Sequence, residues 1–142
     1  MKNRILFLFM SLGLFQGCTG FFTNEHLFGN YYLTATDVED DLSLSYHKPE
    51  DGSEYGGIIS ATVFAIGYNE KYIIVKQHPK VLSKPTNKKI TNYFILPIKN
   101  DFNYRTMNGL VGPITYDQFV LKRHELDIPD SLTFSKEYEN LK

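Results

Sequence analysis

Apolar positions concentrate in two short runs, Val63–Ile66 and Tyr72–Val75, separated by a polar stretch around Asn69-Glu70. β-Branched and aromatic residues bounded by turn residues predict a β-hairpin over 62–79. With Asn69-Glu70 as a two-residue loop, Ile66 faces Ile73, Phe64 faces Val75 and Thr62 faces Gln77. On the other side Gly67 faces Tyr72, Ala65 faces Ile74 and Val63 faces Lys76. In this register Tyr72 covers the bare backbone of Gly67. Both faces of the hairpin are largely apolar, which predicts an inner position in the sheet, covered on each side.

Other stretches add strands around this hairpin. Residues 29–36 (GNYYLTAT) predict a first strand. In 42–47 (LSLSYH) Leu42, Leu44 and Tyr46 alternate with Ser43, Ser45 and His47, the pattern of a half-buried strand with one wet face. Pro49 and Asp51-Gly52 mark a turn, and 55–60 leads into the hairpin. Residues 91–98 (TNYFILPI) place Phe94, Leu96 and Ile98 on one face, with Pro97 at an edge or a strand end. A polar loop follows, over 99–112. One helix is predicted after Thr115. Thr115 and Gln118 have capping-box spacing, and Ile114 and Phe119 have staple spacing. Asp117 and the trio Lys122, Arg123 and His124 suit the two ends of the helix dipole. Tyr116, Phe119 and Val120 form its apolar stripe. Residues 132–134 add a short strand, and a polar, loose tail follows from Ser135. The predicted class is α+β: an antiparallel sheet of about five strands carrying one C-terminal helix.

The N-terminus has a different character. Met1 to Arg4 is basic, 5–15 is almost unbroken apolar sequence, and Gln16-Gly17-Cys18 follows. An eleven-residue, largely apolar segment falls short of the roughly 20 a spanning helix needs, and the order matches a secretory signal. Residues 14–18 (LFQGC) resemble a bacterial lipoprotein signal, with Gly17 directly before the cysteine. That resemblance implies cleavage before Cys18, acylation of Cys18 and a new N-terminus there. Cys18 is the chain's one cysteine, so an intramolecular disulfide is excluded. The domains expected are a signal peptide over 1–17, a lipidated tether over 18–28, one globular domain over 29–134 and a flexible tail over 135–142. Loss of Lys2 and Arg4 with the signal lowers the formal net charge from −1 to −3. A mildly acidic mature chain argues against nucleic-acid binding.

Residues 29–46, 62–79, 91–98 and 112–134 together resemble a family of small bacterial lipoproteins of unknown function, common in Bacteroidetes-like genomes. The resemblance implies export and lipid anchoring in a Gram-negative envelope, and it carries no catalytic residues. Thr19 to Asn24 lacks the acidic residues that accompany surface export in such bacteria, which implies an outer-membrane location facing the periplasm.

Signals for chemistry are sparse. Gly57 to Ser60 holds one of the two glycines of a nucleophile elbow. His124-Glu125 begins a zinc motif, but Ile128 stands where its second histidine belongs. His26, His47, His78 and His124 lack metal-ligand spacing. The acidic run Asp37, Glu39, Asp40 and Asp41 lacks the loop pattern of a calcium site. Lys76, Lys80, Lys84, Lys88 and Lys89 make a basic stretch suited to keeping a sheet edge soluble or to meeting anionic headgroups. The expectation is a non-catalytic binding or structural module without a cofactor, with the membrane and an unknown protein as partners. Its candidate binding residues are Tyr72, Ile74, His47 and His78. The alternatives are an immunity or inhibitor protein against an envelope toxin or hydrolase, and an enzyme whose site is assembled from scattered residues.

Overall fold

The computed structural model describes residues 23–48, 50, 55–81, 83–99, 102–103 and 105–142. Cys18, the apolar segment before it and Phe21-Phe22 lie outside these residues. Thr23–Phe28 (β1), Tyr31–Ala35 (β2), Ser43–Tyr46 (β3) and Gly56–Ile59 (β4) form one antiparallel sheet in the order β1-β2-β3-β4. Val63–Tyr68 (β5), Tyr72–Gln77 (β6), Asn92–Pro97 (β7), Val111–Ile114 (β8) and Lys136–Glu137 (β9) form a second, in the order β8-β7-β6-β5-β9. The helix Tyr116–Glu125 (α1) packs on this second sheet.

The expected α+β class, with a five-stranded antiparallel sheet and a C-terminal helix on it, is present. The four-stranded sheet is an addition. Alternation along β6 explains the three layers. Ile73 and Val75 point into a core shared with Leu33, Leu44, Tyr46 and Ile59 of the four-stranded sheet. Ile74, between them, points the other way, to Phe119, Ile128 and Leu132. The two apolar faces of the hairpin are therefore covered by a sheet on one side and a helix on the other.

The hairpin loop has two residues, as expected, but they are Glu70-Lys71. Asn69 N–H donates to Tyr72 O at 3.0 Å, and Asn69 Oδ1 accepts from the backbone N–H of Lys71 and Tyr72. An asparagine that bonds its own backbone two residues on starts a turn rather than occupying its middle. Sliding the turn by one residue moves the pairing by two, so Ile66 faces Val75 and Gly67 faces Ile74. An even shift leaves Ile66 and Ile73–Val75 on their expected faces, but a bulge between Val63 and Ala65 puts Val63 opposite Gln77 and into the inner core. Gly67 is covered not by Tyr72 but by the backbone of Thr133-Phe134.

Both ends of the domain differ from expectation. Residues 23–28, expected as tether, are strand β1 at the edge of the four-stranded sheet. Residues 135–142, expected as a loose tail, hold β9 and a 3-10 turn that buries Leu141. Lys136 of β9 pairs with Glu25 of β1, and Tyr138 Oη donates to the same carboxylate at 3.2 Å. The two sheets are thus tied along one side by residues more than a hundred positions apart. Lys136 is desolvated there, which alone would lower its pKa, but the bonds to Glu25 and Tyr138 raise it overall. Residues 132–134 are irregular rather than a strand. The face of β3 expected to be wet is partly closed: Ser45 is buried and shares a 2.7 Å hydroxyl bond with Thr34.

Among the described residues, Tyr31 is the one core tyrosine whose hydroxyl is buried without a well-formed hydrogen bond. Burial first, then the Tyr46 hydroxyl, pushes its pKa up to about 12, against a weaker opposing effect of the Lys99 backbone N–H. A folded-state pKa above the unfolded value of about 10 stabilises the fold fully below pH 10, and this contribution is lost as pH rises to about 12. Tyr31→Phe is expected to keep neutral-pH stability within about 1 kcal/mol of wild type or raise it. It should also shift alkaline unfolding to higher pH, read by circular dichroism across that window.

Candidate functional site

The residues expected to form a binding surface do not gather into one. Ile74 is fully buried beneath α1. Tyr72 is half-buried, and its hydroxyl donates to Leu126 O at 3.1 Å, fastening the turn after the helix. Both belong to the scaffold. His47 lies beside β3 and stacks on Tyr55 with ring centroids 4.3 Å apart, while Tyr32 contacts both rings. His78 follows β6, is 4 % exposed, and stacks on Phe64 at 4.1 Å. Its Nδ1–H donates to Ile90 O at 2.7 Å, which leaves a lone pair on a buried Nε2 without a partner. β3 and β6 belong to different sheets, so these histidines serve separate ring pairs. Among the described residues no three His, Cys, Asp or Glu side chains converge as metal ligands. The acidic run braces loops: Asp41 pairs with Lys80 at 2.6 Å, Asp40 accepts from Thr86, and Glu39 accepts from Asn140. Lys76, placed with the basic stretch by its sequence, stands apart from it and pairs with Glu137.

A site does form where α1 crosses the outer face of the five-stranded sheet. The N-terminus of α1 is set by Thr115. Its Oγ1 accepts from Gln118 N–H, and Gln118 Oε1 accepts from Thr115 N–H at 3.0 Å. This cap orients the helix so that Phe119 sinks into the sheet, leaving Tyr116, Arg123 and His124 along one border. The result is an open cleft of about 430 Å³.

Rings line its floor. Tyr93 lies 5.1 Å from Phe119 and 5.5 Å from Tyr116, and Phe119 stacks on Phe134 at 5.9 Å. Aromatic pairs at such spacings hold one another beyond their area burial. Two cations lie against the rings. Lys76 Nζ sits 4.3 Å from the Phe134 centroid, and the Arg123 guanidinium 5.7 Å from that of Phe119. Arg123 Nη2 also donates to Pro129 O and Leu132 O, at 2.8 and 2.9 Å, which closes the cleft's end. Asp130 adds a carboxylate to the border. Burial, then the neighbouring Tyr116, raises the Tyr93 pKa, so its hydroxyl stays a neutral donor at physiological pH.

Planar apolar faces bordered by the Arg123 guanidinium suit recognition of a ligand with an apolar or aromatic part and an anionic part, while the Lys76 ammonium is already paired with Glu137. Tyr93 and Phe134 carry no isolated signal for this role. The one hint was the alternation of β7, in which Tyr93 and Ile95 share the face opposite Phe94 and Leu96.

Residues 28–139 match the model of a family described as "Protein of unknown function (DUF3997)". The chain belongs to this family. The DUF3997 match runs from the end of β1 through β9, and so includes every residue lining the cleft. Comparisons with curated proteins and with solved structures found no match. No helix of the described residues is long and apolar enough to cross a membrane.

Proposed function

We propose that this DUF3997 protein is a non-catalytic binding module of the bacterial cell envelope. In this reading Cys18 carries the lipid that holds it to the outer membrane, facing the periplasm, and the aromatic cleft takes the ligand. The cleft is the observation that carries the proposal. It combines a preformed apolar floor, two cations and a neutral tyrosine hydroxyl in a volume that suits a small molecule or one side chain of a partner. The anchor rests on the basic start, the short apolar core and Gly17-Cys18.

The test is photocrosslinking in cells. A benzophenone amino acid replaces Tyr116, which is 59 % exposed at the cleft border, or Leu121, which is 63 % exposed and outside the lining. A discrete adduct from position 116 that is absent from position 121 is expected. Equal labelling from both positions, or none from 116, would contradict the proposal.

A further inference from the structure

The four-stranded sheet turns its second face away from the shared core and away from the cleft. Leu33, Leu44 and Tyr46 point inward, so alternation turns Tyr32, Thr34, Ser43 and Ser45 outward. The register with β2 puts Asn24 and His26 of β1 on the same side, opposite Thr34 and Tyr32. No outward position of these four strands holds Asp, Glu, Lys or Arg.

Rings cross this uncharged face. His26 lies 5.0 Å from Tyr32, and Tyr32 meets His47 and Tyr55 edge-on at 5.9 and 5.3 Å. Tyr55 precedes β4, yet its hydroxyl accepts from Asn24 Nδ2 of β1 at 2.6 Å, so one bond joins segments at the two edges of the sheet. That bond and the stack on His47 hold the Tyr55 ring in place while leaving it 39 % exposed. Polar groups here have capacity to spare. His26 Nε2–H donates to Gly29 O at 2.7 Å, which leaves a lone pair on Nδ1 of an exposed ring. His47 Nδ1 is buried with no partner among the described residues, an unmet demand of the kind that calls for an explanation. Gly57 lies opposite Ser45, and nothing stands within 4 Å of its Cβ position, so the face has a notch. A glycine inside a strand often marks the close approach of a ligand.

From this arrangement we infer that the outer face of the four-stranded sheet binds a neutral glycan. A sugar ring presents C–H bonds on its faces and hydroxyls around its rim. The C–H face lies against Tyr55, whose ring face carries the negative part of the quadrupole. The rim hydroxyls, each both donor and acceptor, meet His26 Nδ1 and the Asn24 amide. With no cation at the strand positions, a carboxylate or phosphate would lose water without gaining a partner, which selects an uncharged ligand. A proline-rich peptide needs an open groove between rings. Here the rings stack or meet edge-on, with centroids 4.3 to 5.9 Å apart, and leave no slot.

The full-length protein, in an uncharged detergent without a sugar headgroup, is applied to a printed array of oligosaccharides and decaproline. Retention is expected on neutral members such as cellotetraose or the N-acetylglucosamine tetramer. Tyr55→Ala and Gly57→Val should each lower it about tenfold with the circular dichroism of the wild type retained. Gly57→Val fills an open position and carries the test should Tyr55→Ala unfold. Tyr116→Ala, at the cleft border, should leave retention unchanged. A folded wild type that retains no neutral glycan would overturn the inference and leave the cleft's role standing. Retention that survives Gly57→Val and Tyr55→Ala, or that is lost with Tyr116→Ala, would overturn the assignment to this face. Preference for oligogalacturonate or decaproline would overturn the assignment to an uncharged sugar.

Discussion

Gly67→Val is expected to destabilise the domain by about 3 kcal/mol, the upper range for overpacked cores. A Cβ at position 67 would stand 1.9 Å from the carbonyl oxygen of Thr133 and 2.8 Å from its carbon. These are backbone atoms, so no rotamer change relieves the contact. The strand would have to push the 132–134 segment away, and three things depend on that segment. Leu132 and Phe134 cover the outer face of the sheet, Arg123 bonds to Leu132 O, and β9 follows immediately. A loss of about 1–3 kcal/mol should already appear for Gly67→Ala, because the first carbon collides. Gly57→Ala is the matched control. Nothing lies within 4 Å of its Cβ position. Alanine there should leave stability unchanged or raise it by about 0.4–1 kcal/mol, through a less flexible unfolded chain. Chemical denaturation of the three variants separates close backbone approach from the general effect of removing a glycine.

Phe119→Ala carries the second large effect, a loss of about 3–5 kcal/mol. Phe119 is 2 % exposed and is the one fully buried side chain of α1. It touches the floor through Tyr93 and Phe134, and it receives the Arg123 guanidinium on its ring. Removing it takes away the contact that docks the helix, so hydrogen exchange should rise first in α1 and in 126–134. The core between the sheets should keep its protection, because Ile66, Ile73, Val75, Leu33 and Leu44 do not contact Phe119 through that cluster. Tyr116→Ala removes a largely exposed ring and should cost far less. The pair distinguishes a residue that builds the cleft from one that only borders it.

How much of this was legible from sequence follows from the range of the interactions. The capping box at Thr115 and Gln118 spans one helical turn, and the structure reproduces it. Phe94 and Leu96 share a face as their alternation implies. From Ile66 through Val75 the hairpin faces survived an error in the turn because the slip was even, while a bulge between Val63 and Ala65 turned Val63 to the inner core. The four-stranded sheet was only half visible. β1 carries Leu27 as its single inward aliphatic residue, so its pattern reads as polar tether, and what holds it is β2 beside it and Lys136 far along the chain. β9 is two charged residues long and has no periodicity to detect. The cleft was invisible for the same reason: Tyr93, Phe119 and Phe134 come from three segments brought together only by packing. Tyr72 and Ile74 were singled out because they lie on the apolar hairpin. That property placed them under the helix rather than on a surface.

The most direct test of an anchored envelope module is metabolic labelling of cells with a palmitate analogue. The full-length wild type should incorporate label and partition with membranes. Cys18→Ala should carry no label and remain as the uncleaved precursor. An unlabelled wild type, or equal label on Cys18→Ala, would contradict the account.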